Sequence, residues 1–288
     1  MSDQVLDKVI PDIERMAEAK VAEHRLPGMA VGIVRGDGLA WWGGFGRSDL
    51  ESGAKPDQHS IARVASVTKT FTTTAIMQLR DAGKLGLEDP LVQHIAEFSG
   101  VRAEADRVEG VTLRRLLTHR SGLVTESPVH GWAALRFPSR EEILAALPDT
   151  GIVIPQDSAW KYSNLGFALL GEVVYRLTGQ PCPEYVREHI LDPLGLTSTA
   201  FDLTEEMKGR AFVGYNPTSF QDRPDKAPYA HLNGLSPAGQ LHSTVHDLAE
   251  WVSFQFGPSD DGDGESGVLD ARTLAEIQRP QYVEPDWS

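Results

Sequence analysis

Ser66-Val67-Thr68-Lys69 lies between a short apolar run, Ile61-Ala62-Arg63-Val64, and a helical stretch, Thr70 to Leu79, and its reading organises the rest of the chain. Positions i and i+3 share one face of a helix, so the Lys69 amine can lie beside the Ser66 hydroxyl. A serine hydroxyl is a weak nucleophile without a base next to it. A lysine serves as that base when burial or nearby positive charge lowers its pKa. The start of a helix adds unpaired N–H groups and the positive end of a dipole, and both favour an oxyanion. Two other stretches have the same spacing. Ser52-Gly53-Ala54-Lys55 lies in a Gly/Pro/Asp-rich turn, and Ser158-Ala159-Trp160-Lys161 runs from Pro155 into aromatic residues, where strand or loop is expected. Of the three, Ser66 alone has a strand before it and a helix after it. Against catalysis stands the plain alternative of a helix-capping serine with a surface lysine.

The chain has 288 residues, enough for two domains or one large domain with an insertion, and for a substantial core. Its 27 basic and 41 acidic residues give a net charge of −14, which argues against nucleic acid and anionic membranes as partners. Cys182 is the one cysteine, so no internal disulfide is possible. Its setting, Pro181-Cys182-Pro183, has no basic cluster to activate a thiol, and a packing or surface role is expected. Met1 to Arg25 has no apolar core of a signal peptide, and no segment reaches the apolar length of a membrane span. A cytoplasmic protein is expected, or a mature form whose leader has been removed.

Residues 3 to 25 read as a helix that Pro11 should break or kink. Met29 to Arg35 and Leu39 to Phe45 read as a hairpin joined by Gly36-Asp37-Gly38. Helices are expected at Leu113 to His119, at Ile143 to Leu147 behind a Ser139/Glu142 capping box, and at Leu165 to Leu177 with a stop at Gly179. Two more are expected at Glu184 to Leu191 and, opened by Ser243 and Thr244, at Val245 to Phe254. The acidic stretch Ser259 to Gly267 lacks the glycine and the final carboxylate of a calcium loop and reads as a solvated loop. Strands come first, then a long helical block, then mixed structure, which is the pattern of an α/β unit carrying a helical insertion.

Tyr162-Ser163-Asn164 opens the helix from Leu165. A phenol beside an ammonium can exchange a proton, and an asparagine amide offers both donors and an acceptor. The alternative is a capping serine or asparagine with a core tyrosine. Taken together, Ser66-x-x-Lys69 and Tyr162-Ser163-Asn164 resemble the motifs of the serine β-lactamase and penicillin-binding-protein superfamily. Leu116-Leu117-Thr118-His119-Arg120-Ser121-Gly122-Leu123, Asp192-Pro193-Leu194-Gly195-Leu196 and Ser236-Pro237-Ala238-Gly239 are similar to further segments of that family, as is Ser243-Thr244 with Asp247-Leu248-Ala249. The resemblance runs from about Pro27 to Ala249. A tyrosine at position 162 points to the class C branch, which includes family VIII carboxylesterases, D-aminopeptidases and DD-peptidase-like proteins.

The resemblance implies an α/β fold of the α+β type: an antiparallel sheet flanked by helices, with a mostly helical second domain. The sheet domain is expected from residues 1–65 and 228–288, and the helical domain from residues 66–227. Ser66 would attack an ester or amide carbonyl, and its backbone N–H would be one oxyanion donor. Lys69 and Tyr162 would share the duty of general base. Asn164 would orient Lys69 and touch the substrate. His119 would belong to a structural helix end. No cofactor and no metal is implied.

The family's third motif, Lys-Thr-Gly or His-x-Gly on a late strand, has no match. Lys208-Gly209-Arg210 and His130-Gly131-Trp132 lie upstream of any such strand. The sheet is therefore expected to be incomplete in this chain, with the missing strands supplied by a separate polypeptide or another subunit. The activity expected is that of a serine hydrolase on small-molecule esters, β-lactams or D-amino-acid amides, with esterase first. Acyl transfer from the same serine and a non-catalytic binding or assembly module are the alternatives. Gly-x-Ser-x-Gly, the signature of another serine-hydrolase fold, does not occur.

Overall fold

The computed structural model describes residues 3–36, 38–129, 131–216, 224–257 and 267–283. In chain order these form α1 (Asp3–Glu23), β1 (Gly28–Arg35), β2 (Gly38–Gly46), β3 (Ala62–Arg63), α2 (Thr68–Asp81), α3 (Leu91–His94) and α4 (Leu113–Leu117). They continue with α5 (Arg140–Ala145), α6 (Asn164–Thr178), α7 (Cys182–Val186), α8 (Glu205–Lys208), α9 (Ser236–Gly239), β4 (His242–Ser243), α10 (Val245–Phe256) and α11 (Ala271–Ile277). Among the described residues no helix is long and apolar enough to cross a membrane.

The chain divides into two compact units. The first holds residues 1–63, 196–229 and 242–262, and the second holds residues 64–195, 230–241 and 263–288. In the first, β1 and β2 form the antiparallel hairpin that the sequence predicts, with Gly28 opposite Gly46 and an irregularity between Ile33 and Val34. Asp37, in its turn, lies outside the described residues. Helices α1 and α10 pack on this hairpin, burying Leu6 and Ala17 from α1 and Ala249, Trp251 and Phe254 from α10. Pro11 lies inside α1 and does not end it, so the break that was one of its two expected effects is absent. Proline removes one backbone bond, to the carbonyl four residues earlier, and here the helix continues on both sides of that single loss.

Two expected boundaries move. Residues 196–227 pack with the first unit because this stretch pairs with neighbouring backbone: Phe212 N–H donates to the Ile61 carbonyl at 2.8 Å and Val213 N–H to Ser48 at 2.9 Å. Residues 230–241 and 263–288 belong to the second unit. Arg80 of α2 pairs with Glu276 of α11 at 2.7 Å and donates to Thr273 at 2.9 Å.

The second unit is built on α2 and α6. Phe71, Ala75, Ile76 and Leu79 recur at helical spacing on α2 and are each at most 2% exposed. Helix α6 is apolar nearly all round and is buried from Leu165 to Val174, which makes it a central helix of its unit. Its ends follow the sequence: Ser163 caps the first turn by accepting from Gly166 N–H at 2.9 Å, and Gly179 closes the last with φ +77. The Ser139/Glu142 capping box forms in both directions. Cys182 is buried at the start of α7, where burial pushes its thiol up to about 12. It therefore stays protonated as a packing group. The stretch Ser259 to Glu265 lies outside the described residues.

Candidate active site

The chain enters the site through a turn of 3₁₀ helix, Ala65–Val67, that runs directly into α2. Ala65 adopts φ +46. For a residue with a Cβ this left-handed backbone costs about 1–2 kcal/mol, and such strain collects at functional positions. It sharpens the bend and leaves Ser66 exposed while Lys69, three residues on, is 6% exposed. Ser66 lies in the first helical turn, where backbone N–H groups have no carbonyl partner within the helix.

Around Lys69 the second unit closes a complete set of acceptors. Its ammonium donates to Ser66 Oγ at 3.3 Å, to Asn164 Oδ1 at 2.8 Å and to the Ala238 carbonyl at 2.6 Å. An ammonium has three N–H groups, and all three are used, which is what a buried charge requires. The ammonium also lies 4.7 Å from the centre of the Tyr162 ring and 5.5 Å from that of Phe167. Burial pushes Lys69 down to about 8, against the upward pull of the Glu126 carboxylate. The Ser66 hydroxyl and the Tyr162 hydroxyl are 2.5 Å apart. Ser66, Lys69, Tyr162 and Asn164, chosen from the sequence, are thus joined in one hydrogen-bonded cluster from two sequence-distant helix starts.

Two threonine hydroxyls of α2 fix it against the segment that supplies the Ala238 carbonyl. Thr72 Oγ1 donates to the Pro237 carbonyl at 2.7 Å, and Leu241 N–H donates to Thr68 Oγ1 at 3.0 Å. Tyr162 is held from below by His119, which follows α4 with φ +58. His119 Nδ1 accepts from Ser163 N–H at 3.1 Å, and its carbonyl accepts from Lys161 N–H at 2.8 Å. Its ring packs on Trp160, Tyr162 and Phe167. Burial, with the Lys69 charge second, pushes His119 down to about 4, so it is neutral at pH 7 and can accept. The helix-end role read from the sequence thus comes with a clamp on the Tyr162 segment.

Sequence reasoning missed two participants. Glu126 accepts from Asn164 Nδ2 at 2.5 Å and from Trp132 Nε1 at 3.3 Å. It sits in a loop with no motif spacing to Ser66–Lys69 or to Tyr162–Asn164. The Ala238 carbonyl belongs to a stretch that the sequence comparison singled out, but a backbone acceptor has no side-chain signature. The rival Ser158 donates to the Pro155 carbonyl at 2.6 Å in a loop, and Ser52 lies in a turn around Gly53. Lys208-Gly209-Arg210 lies at the end of α8, and His130 is outside the described residues.

The family model described as Beta-lactamase matches residues 13–287. A human protein described as beta-lactamase-like 1 is 30% identical over 256 residues, covering 85% of this chain and 49% of that protein. The solved octameric penicillin-binding protein homologue from Pyrococcus abyssi is 25% identical with a TM-score of 0.80, covering 97% of this chain and 62% of that one. The solved β-lactamase/D-alanine carboxypeptidase from Yersinia pestis is 24% identical with a TM-score of 0.72, covering 92% of this chain and 74% of that one. The chain spans about half the length of the relatives it matches in sequence. The family match over nearly the whole chain, and the fold it shares with these solved structures, place the chain in the Beta-lactamase family, within the serine β-lactamase and penicillin-binding-protein superfamily.

Proposed function

We propose that this chain is a serine hydrolase that forms an acyl-enzyme on Ser66, with small carboxylic esters as its first substrates. The observation that carries the reading is the contact of the Ser66 hydroxyl with two proton-handling groups, Tyr162 at 2.5 Å and Lys69 at 3.3 Å. In the neutral form of Lys69 the amine lone pair takes the Ser66 proton as Oγ bonds to the substrate carbonyl carbon. The carbonyl π electrons become an oxyanion beside the Ser66 N–H. The oxyanion then collapses and breaks the bond to the leaving alkoxide, which receives a proton from Tyr162, itself replenished from Lys69. Water repeats the sequence on the ester of Ser66 and releases the acid. Asn164 keeps Lys69 in place and offers its amide to the substrate.

A polypeptide strand that extends the β1–β2 sheet is part of this proposal. Among the described residues β1 pairs with β2 alone, and an open strand edge is a template for another strand. Native mass spectrometry of the purified protein reads whether a second chain accompanies it.

The test of function is a substrate panel: p-nitrophenyl esters of short acids, a chromogenic cephalosporin and D-alanyl amides, each with and without an added alcohol acceptor. Saturable ester turnover that disappears in Ser66→Ala supports the reading. Transfer to the alcohol in preference to water would replace it with acyl transfer. No turnover of any substrate by the folded protein would leave the binding-module alternative.

A further inference from the structure

Among the described residues Glu126 is the carboxylate that reaches the Lys69 cluster, and it does so through Asn164. An asparagine amide can be turned either way, since its oxygen and nitrogen ends are nearly the same shape. Here the two neighbours leave no choice. A carboxylate only accepts, so it takes the Nδ2 end; an ammonium only donates, so it takes the Oδ1 end. The contacts have this polarity, with Nδ2 donating to Glu126 at 2.5 Å and Oδ1 accepting from Lys69 at 2.8 Å.

The Glu126 side chain is delivered by backbone. Val124 and Thr125 are laced to the start of α6: the Val124 carbonyl accepts from Ser163 Oγ at 2.7 Å, and the Thr125 carbonyl accepts from Asn164 N–H at 2.8 Å and Leu165 N–H at 3.1 Å. The loop and Asn164 therefore move as one piece. The hydrogen bonds that Glu126 accepts from Asn164 and Trp132 both fall on Oε1.

We infer that Glu126 is a positioning residue for acylation: it fixes the orientation of the Asn164 amide and, through that amide, holds the Lys69 amine on Ser66 in a defined charge state. This inference rests on the acyl-enzyme reading above for its functional meaning. Among the described residues the titratable groups that face Lys69 are Glu126, Tyr162 and His119, and of these Glu126 is the one that holds the proton on. Burial opposes it. Two opposed effects of this kind set where the amine becomes a free base.

The test uses Glu126→Gln, whose side-chain oxygen can still accept from Asn164 while the charge is gone, and Glu126→Leu, which removes both. The titration of Lys69 is read by competitive acetylation with isotopically labelled acetic anhydride and peptide mass spectrometry. This readout does not need catalysis. In Glu126→Gln Lys69 should titrate about one unit lower than in the parent, as expected on losing a nearby opposite charge. The acid limb of the Ser66 acylation profile should move down with it. At pH 9, where Lys69 is largely neutral in both proteins, the glutamine variant should acylate as fast as the parent. Glu126→Leu should be slower there, because the amide is no longer oriented. Should the glutamine variant fail to fold, Glu126→Asp, which keeps the charge one methylene further back, should leave the Lys69 titration near that of the parent while slowing acylation at pH 9. An unchanged Lys69 titration in Glu126→Gln would overturn the inference, as would a parental rate at pH 9 in Glu126→Leu or Glu126→Asp. Failure of the parent to acylate at all, with Lys69 still shifted by the substitution, would instead overturn the acyl-enzyme reading.

Discussion

Lys69 Nζ donates to the carbonyl oxygen of Ala238 at 2.6 Å, a bond between α2 and α9 across 169 positions of sequence. With Ser66 and Asn164 it completes three acceptors for three protons. The bond explains how a lysine 6% exposed can be charged and still sit beside the Ser66 hydroxyl. It also ties the site to the docking of α9 on α2.

That dependence can be probed through Gly171 on α6. A Cβ at this position would stand 2.3 Å from Pro237 Cγ, on the residue before Ala238. A proline ring cannot swing aside as a long chain can. Gly171→Ala should lower stability by about 1–3 kcal/mol, as overpacking does, and should displace the Ala238 carbonyl. Thermal unfolding together with the Ser66 acylation rate below the transition checks this. Wild-type values in both would mean that α9 shifts without cost.

Tyr162→Phe removes one oxygen, the one 2.5 Å from Ser66 Oγ, and keeps the ring against His119. Acylation should fall by about 100- to 10,000-fold, the usual loss for an acid–base group, with melting temperature little changed. Stopped-flow acylation by an activated ester measures it.

The pH dependence of acylation follows from Lys69. The amine must be neutral to take a proton, and its ammonium is pushed down to about 8. The rate should therefore rise as pH rises through about 8, with about a tenth of the limiting rate at pH 7 from the neutral fraction. A profile of kcat/KM against pH from 6 to 10 tests it, and a flat profile would assign the base elsewhere.

Stability should respond to acid through two histidines. His119 and His242 are each pushed from 6.5 down to about 4, mainly by burial, with the charges of Lys69 and Arg63 respectively as the next cause. Between pH 6.5 and 4 the unfolded chain binds more protons at these positions than the folded one. Stability is then present above pH 6.5 and declines as pH falls toward 4. Protonating His119 also removes the acceptor of Ser163 N–H. Urea unfolding across that window should show the decline, and His119→Gln should make it shallower.

Much of the site was legible because its signals are local. Ser66 to Lys69 is one helical turn, and Tyr162 to Asn164 is one helix start. Both depend on periodicity and capping, which neighbouring residues carry. Gly179 and the Ser139/Glu142 box fell where their chemistry requires for the same reason. What was not legible depends on contacts distant in sequence. Residues 196–227 read as part of the helical block, yet their backbone pairs with Ser48 and Ile61. Pro11 carries a strong local signal for interruption, but packing of Leu6 and Ala17 on either side of it holds α1 together. Glu126 and the Ala238 carbonyl enter the site only once α6 and α9 are docked on α2.

The central claim is that Ser66 is the acylated nucleophile with Lys69 as its base. Intact-protein mass spectrometry after exposure to a fluorophosphonate probe, with peptide mapping, tests it most directly. The folded protein should gain one probe mass on Ser66, with no gain in Ser66→Ala and a rate lowered at least about 100-fold in Lys69→Met. No adduct on the folded protein, or an equal adduct in Ser66→Ala, would contradict it.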